Sequence, residues 1–174
     1  MADRKEFKGR VDFNSEVNIK EKYVEPNVTT ATTHTDGGTL VKNTLNFINV
    51  TATKTFNLPA VASSTKGDVV IVKYIADIAN SAHHNYDTDG ASFAATSNLV
   101  KAKELADGQG FAIVAAPNGT SEDVLKLTGA TNGGCGVGSQ LYFVYNGSQW
   151  AVHHGEIYHR GAGNGSAAIT VAFE

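Results

Sequence analysis

Residues 141–153 read Leu-Tyr-Phe-Val-Tyr-Asn-Gly-Ser-Gln-Trp-Ala-Val-His, with an apolar and aromatic run on each side of Asn146-Gly147. An Asn-Gly pair between two such runs is the strongest short-range signal for a β-hairpin, because both residues tolerate the backbone angles of a tight turn. We therefore predict two antiparallel strands joined at Asn146-Gly147.

Working outward from this hairpin, further short strands are predicted at a spacing of about ten residues, with Gly, Pro or Asn between them. Residues 69–76 are apolar at nearly every position, which is typical of a central strand covered on both sides. Only residues 97–106 combine a capping Ser with helix formers, and they predict one short helix. The pattern predicts an all-β fold, a β-sandwich or jelly-roll-like domain preceded by an extended N-terminal arm. The remaining predicted strands are 45–50, 51–58, 111–116, 124–127 and 167–173.

Charge is distributed unevenly along the 174 residues. Twelve of the 31 charged residues, six acidic and six basic, lie in residues 1–25, whereas residues 127–173 contain only Glu156 and Arg160. A sign-balanced charged segment suits a solvated arm or a salt-bridged contact, and a neutral stretch suits burial against other chains or a well-packed core. We predict three parts: a charged arm or short β stem at 1–25, a Thr-rich linker or edge strand at 26–38, and the β-sandwich domain at 39–174.

The apolar residues of the arm recur every six positions, as in Phe7, Phe13 and Ile19. Six is a multiple of the strand period of two, so short strands winding around a shared axis would produce this spacing. A single ordinary hairpin explains it equally well.

Composition excludes several classes of function. The net charge of −3 and the pI of about 6.0 leave no basic excess for nucleic acid or an anionic membrane. No apolar run approaches the roughly 20 residues that cross a bilayer, and we expect neither a membrane span nor a signal peptide. Cys135 is the only cysteine, so no disulfide forms within the chain.

A partial calcium loop occurs at Asn85, Asp87 and Asp89, which place oxygen side chains at alternate positions before Gly90. Thr96 stands where an EF-hand needs a bidentate carboxylate, so an EF-hand is excluded. A polar turn is the simpler interpretation, and a calcium ion held with help from another loop is the alternative.

Two histidine pairs, His83-His84 and His153-His154, raise the question of a metal site. Neighbouring side chains on a strand point to opposite faces, so we expect one of His153 and His154 to point inward and neither pair to chelate an ion alone. A site pooled across a symmetry axis is the alternative. Because no nucleophile elbow or phosphate loop occurs, we expect neither enzymatic activity nor a cofactor.

The motifs resemble those of one family. Residues 58–61, 66–72 and 138–152 resemble segments of tailed-bacteriophage virion proteins of the head-decoration (cement) and fibre type, and residues 7–13 are similar to their N-terminal stems. The resemblance implies a non-enzymatic virion structural protein, made in the host cytoplasm. It also implies a homotrimer or other symmetric oligomer whose arm attaches to the major capsid protein or another virion protein.

Decoration or cement ranks above fibre, because 174 residues is short for a complete receptor-binding fibre. The alternative is a fibre or receptor-binding tip that recognises host-surface carbohydrate on the rings of Tyr142, Tyr145 and Trp150. This alternative requires that those rings are exposed and do not pack in the core. A small hydrolase would need a triad or clustered carboxylates, of which the sequence gives no sign. The residues expected to contact the capsid or another partner are Phe7, Arg10, Val11, Phe13, Val17 and Ile19.

Overall fold

A computed structural model describes residues 30–79, 81–95, 100–104, 111–113, 117–129, 136–159 and 170–174 as two packed β-sheets. This confirms the predicted all-β sandwich. The described residues contain twelve strands and one 3₁₀ turn, Val61–Ser63, and no α-helix. The strands are β1 (Ala31–His34), β2 (Gly38–Thr39), β3 (Thr44–Ile48), β4 (Lys54–Asn57), β5 (Val69–Tyr74), β6 (His83–Asp87), β7 (Val100–Glu104), β8 (Phe111–Ile113), β9 (Val124–Thr128), β10 (Gln140–Tyr145), β11 (Trp150–His159) and β12 (Thr170–Phe173).

The first six strands wind alternately through the two sheets. β1, β3 and β5 are parallel neighbours in a seven-stranded sheet of order β1-β3-β5-β10-β11-β7-β8. β2, β4 and β6 are parallel neighbours in a five-stranded sheet of order β12-β9-β6-β4-β2. Parallel neighbours need a long connection, and here each connection includes a strand of the opposite sheet. Strands β1 to β6 therefore follow a flattened spiral path, which differs from the antiparallel strand pairing of a jelly roll.

The core lies between the sheets and is rich in aromatic rings. Phe56 stacks on Tyr86 with ring centroids 5.6 Å apart, and Tyr86 contacts Phe143 of the other sheet at the same distance. Trp150 is fully buried and donates its indole N–H to the carbonyl oxygen of Pro59 at 2.9 Å. These contacts join the two sheets across the interior.

The predicted hairpin is confirmed. β10 pairs antiparallel with β11, and Tyr145 lies opposite Trp150. The connection is a four-residue loop in which the Asn146 side chain accepts the backbone N–H of Ser148 and of Gln149, both at 2.9 Å. Gly147 has a φ of 106°, which favours glycine. The predicted strands at 45–50, 51–58, 69–76 and 124–127 are also confirmed, by β3, β4, β5 and β9. The described parts of the predicted strands at 111–116 and 167–173 form β8 and β12.

The predicted helix at 97–106 is wrong. Residues 100–104 form β7, which pairs in parallel with β11. Helix propensity is a weak preference, and the hydrogen bonds offered by the edge of a large sheet override it. Within the predicted linker or edge strand at 26–38, the described residues contain β1, the first strand in the order of the seven-stranded sheet. The sandwich therefore begins before residue 39, and residues 1–25 lie outside the described residues.

A chain of hydrogen bonds crosses the core at His84. Tyr86 donates its hydroxyl to that of Tyr74 at 2.6 Å, and the Tyr74 hydroxyl lies 3.0 Å from Nδ1 of His84. Since Tyr74 then donates to Nδ1, the proton of neutral His84 is on Nε2 and is donated to the carbonyl oxygen of Ala52 at 2.9 Å. Burial lowers the pKa of His84 to about 4, against a smaller opposing effect of the bond to Ala52.

We expect acid to destabilise the protein through His84. Its pKa is about 4 in the folded chain and 6.5 when unfolded, so the unfolded chain binds the proton first as the pH falls below 6.5. The stability gained from a neutral His84 is present above 6.5 and is lost between 6.5 and 4, up to about 3 kcal/mol. Urea unfolding at pH 7 and pH 4.5 measures the loss.

Replacing His84→Gln should remove most of that pH dependence, whereas the control His83→Gln, at the half-buried neighbouring position, should leave it in place. Equal pH dependence in the wild type and in His84→Gln would contradict the assignment.

Candidate interaction surface

The seven-stranded sheet has an apolar region on the side that faces away from the core, formed by residues of β3, β5 and β10. In β3 the residues Thr44, Asn46 and Ile48 are buried, while the alternating Leu45 and Phe47 are half-buried and are not part of the core cluster. Since successive side chains of a strand point to opposite sides, Leu45 and Phe47 project outward.

The neighbouring strands extend this apolar surface. Ile71 of β5 lies beside Leu45, and Tyr142 of β10 lies beside Ile71. Val144 lies two residues further along β10 and is half-buried like the others. We term Leu45, Phe47, Ile71, Tyr142 and Val144 the outer apolar face.

Polar residues border the outer apolar face. Lys73 is exposed and lies between Phe47 and Gln140 in the sheet, and Glu156 follows on β11 beside Gln140. An apolar centre with a polar rim is the usual composition of a surface that contacts another polypeptide.

Among the described residues, one end of this surface is an edge of the sheet, formed by β1. The carbonyl oxygen of Thr30 accepts the backbone N–H of Leu45 at 3.1 Å. The carbonyl oxygen of His34 accepts the backbone N–H of Asn49 at 2.9 Å. The alternation of a parallel strand then directs the backbone groups of Ala31 and Thr33 away from β3. β1 contains no charged residue, Pro or bulge, which are the features that commonly protect an edge from pairing.

The side chain of Asn46 anchors the strands that form this surface. It donates to the carbonyl oxygens of Val41 and Thr44 at 2.9 and 3.0 Å and lies 3.2 Å from that of Ile71. Its Oδ1 lies 2.9 Å from the backbone N of Val41 and from Nε2 of His34. Asn46 was not among the residues predicted from the sequence, although a polar residue at an apolar position of a strand is a recognisable signal.

The predicted carbohydrate platform requires correction. Trp150 and Tyr145 are 0% and 4% exposed, because alternation directs both side chains between the sheets. Only Tyr142 faces outward, and its ring contacts that of His153 with centroids 5.8 Å apart. Two of the three rings therefore have no face that a sugar could reach.

The expectation that one of His153 and His154 points inward is also wrong, since both are exposed. Tyr142 pairs with His154 and Phe143 with Val152, so His153 is an extra residue in β11. Such a β-bulge interrupts the alternation of side chains and here places both rings outside.

The other histidine pair follows the expected alternation. His84 is buried and His83 is half-buried. Among the described residues, no three His, Cys, Asp or Glu side chains come together as metal ligands.

The residues of the partial calcium loop form the end of β6 and the turn after it. Asn85 and Asp87 lie on the outer side of the five-stranded sheet. Asp89, with a φ of 60°, donates its backbone N–H to Oδ1 of Asp87 at 2.7 Å. This geometry is that of an Asx turn that ends the strand. The Oδ1 atom of Asn85 is buried without a hydrogen-bond partner in the described structure.

The residues expected to bind the capsid, from Phe7 to Ile19, lie outside the described residues, as does Cys135. In the described part of the chain, no helix is long and apolar enough to cross a membrane. No protein-family model matches the chain, and no curated protein or solved structure matches it either. The surface itself is therefore the basis for inferring function.

We expect Trp150→Phe to lower the free energy of unfolding by about 2–3 kcal/mol, because the carbonyl oxygen of Pro59 loses its donor and the core loses volume. Urea unfolding measures this, and retention on a glycan array should not change. The control Val137→Ala, at a residue that is 48% exposed, should change stability by less than about 0.5 kcal/mol. A stable Trp150→Phe protein with altered glycan retention would contradict the structural role.

Proposed function

We propose that the chain is a non-enzymatic virion structural protein, most specifically a capsid decoration or cement protein that docks by its N-terminal arm and oligomerises through its β domain. The observation that supports this proposal is the outer apolar face beside β1, the edge strand among the described residues. Both features favour contact with other polypeptides, and neither provides chemistry for a reaction.

The distribution of charge supports the same division of roles. The six acidic and six basic residues of 1–25 suit salt-bridged docking on a subunit lattice. The nearly uncharged residues 127–173 suit close packing around a symmetry axis, for which a trimer is favoured.

The physical effect of such a protein follows from linkage. A protein that binds only the assembled lattice shifts the equilibrium toward assembly, by about 2.7 kcal/mol per site when its free concentration is 100 times Kd. Bridging several capsid subunits adds avidity without new contacts. An arm and an oligomeric β domain together provide the several attachments that this effect needs.

The fibre or receptor-binding tip is the weaker candidate. It depended on three aromatic rings, and Tyr145 and Trp150 lie in the core. No other feature of the described residues favours carbohydrate over protein as the ligand.

We expect the full chain to be oligomeric by native mass and to bind purified empty capsids of its own phage. Arg10→Glu should weaken capsid binding about tenfold by reversing a charge that docks on the lattice. Lys66→Glu, the same change at an exposed position of the β domain, should have an effect of less than about twofold. Sedimentation with capsids measures both.

A monomer that ignores capsids and is retained on a glycan array would refute the decoration role and favour the receptor-binding tip. Equal weakening by Arg10→Glu and Lys66→Glu would refute docking through the arm.

A further inference from the structure

Asn146 and Gly147 lie in the loop that joins β10 to β11, and three donors hold the side-chain oxygen of Asn146. Its Oδ1 accepts the backbone N–H and the hydroxyl of Ser148 at 2.9 and 3.0 Å, and the backbone N–H of Gln149 at 2.9 Å. Asn146 and Gly147 are both exposed. Three donors on one carbonyl oxygen make its carbon, Cγ, more open to attack by a nucleophile.

The nucleophile that can reach this carbon is the backbone nitrogen of the next residue. After the N–H of Gly147 loses its proton to hydroxide, the nitrogen attacks Cγ of Asn146 and closes a five-membered succinimide ring. The Cγ–Nδ2 bond breaks, and Nδ2 leaves as ammonia with a proton from water, which restores the hydroxide. Water then opens the ring, at Cγ to give Asp or at the main-chain carbonyl to give isoaspartate. Glycine has no Cβ to hinder the attack, and the donors to Oδ1 stabilise the negative charge that develops there.

A second Asn-Gly pair, Asn118-Gly119, provides an internal comparison. Oδ1 of Asn118 accepts the backbone N–H and the hydroxyl of Thr120 at 2.8 and 3.0 Å, and the backbone N–H of Ser121 at 3.0 Å. Asn118 is exposed, as Asn146 is. The two loops therefore match in the donors to Oδ1, and a difference in reactivity between them must arise from their other contacts.

Additional contacts hold the loop at Asn118. Nδ2 of Asn118, which is the leaving group, donates to Oγ of Ser121 at 2.9 Å. The carbonyl oxygen of Gly119 accepts Nε2 of Gln149 at 3.1 Å. Gly119 also packs so closely on Ala95 that a Cβ at Gly119 would lie 2.9 Å from that of Ala95. Because ring closure moves both the glycine and the leaving amide, these contacts oppose it.

The corresponding groups at Asn146 are less restrained. The atoms nearest to a Cβ at Gly147 would be side-chain carbons of Lys66, at 3.5 to 3.6 Å, which is ordinary van der Waals contact. Within the described part of the chain, Nδ2 of Asn146 donates no hydrogen bond. The two loops therefore differ in the freedom of the groups that move during the reaction.

We propose that Asn146 is a modification site of the folded chain, converted through a succinimide to Asp and isoaspartate, and that Asn118 in the matching loop is protected. The reaction needs only water and hydroxide besides the residues of the loop. This inference goes beyond the virion role, because it concerns the free chain and holds whether or not the chain binds a capsid.

Either product changes the hairpin. Both carry a carboxylate in place of the neutral amide, close to the side chain of Lys66. Asp keeps the oxygen acceptor of the turn, whereas isoaspartate adds one methylene to the main chain between β10 and β11, next to the paired Tyr145 and Trp150. Conversion to isoaspartate therefore loosens the connection between two central strands as the chain ages.

Peptide mapping by mass spectrometry of the full chain, aged at mildly alkaline pH, tests the selectivity. A hydrogen bond that must break before ring closure lowers the rate about fivefold, and two such bonds and a close contact hold the loop at Asn118. We expect Asn146 to be converted at least about tenfold faster than Asn118 in the folded chain. In concentrated urea, where the loop contacts are lost, the two rates should agree within about threefold.

Equal rates at Asn146 and Asn118 in the folded chain, or a faster rate at Asn118, would overturn the proposal. A tenfold preference for Asn146 that persists in urea would also overturn it, because the preference would then come from the local sequence and not from the contacts of the folded loops.

A pair of matched variants tests the contact that protects Asn118. Ser121→Ala, at an exposed position, removes the partner of Nδ2 and keeps the backbone N–H, so it should accelerate the conversion of Asn118 about fivefold. Ser148→Ala removes a donor to Oδ1 of Asn146 and no partner of its Nδ2, so it should not accelerate Asn146. No acceleration in Ser121→Ala, or equal acceleration in both variants, would overturn the proposal. Loss of capsid binding leaves these rates unaffected, so the two ideas fail separately.

Discussion

Strands β3, β6, β9 and β10 bury alternate side chains between the two sheets, and polar groups in that interior are tolerated because they are hydrogen bonded. Asn46 bonds to the backbone of its own strand and its neighbours, and His84 completes a chain from Tyr86 through Tyr74 to Ala52. A shift of one residue in strand register would move the core residues to the outer side of the sheet and leave these polar groups without hydrogen-bond partners. The apolar residues permit the observed register, and the hydrogen bonds of the buried polar groups select it over the alternatives.

Local features of the sequence predicted most of the strands, whereas the pairing of strands far apart in the chain could not be predicted. The Asn146-Gly147 hairpin and the apolar run of β5 depend on neighbours in sequence, so the pattern was sufficient. The coiled course of β1 to β6 depends on parallel pairing between strands far apart in the chain, which no turn signal encodes. β7 has helix-forming residues, and pairing with β11 overrides their preference.

The candidate surface was harder to predict than the fold, because β3 is apolar on both sides. Leu45 and Phe47 alternate with Ile48, and nothing in the sequence tells which side meets the other sheet. The polar Asn46 would ordinarily mark the outer side, yet it is buried. The bulge at His153 likewise changes which side chains face out, and a single extra residue in a ladder leaves no pattern in one sequence.

Among the described residues, the outer apolar face lies beside the sheet edge formed by β1, and both features promote association with other polypeptides. Asn46 contacts His34 of β1 and the carbonyl oxygen of Ile71 of β5, so β1, β3 and β5 are held to one another from the core side of the sheet. The strands beneath the outer apolar face are therefore fixed independently of what packs on that face.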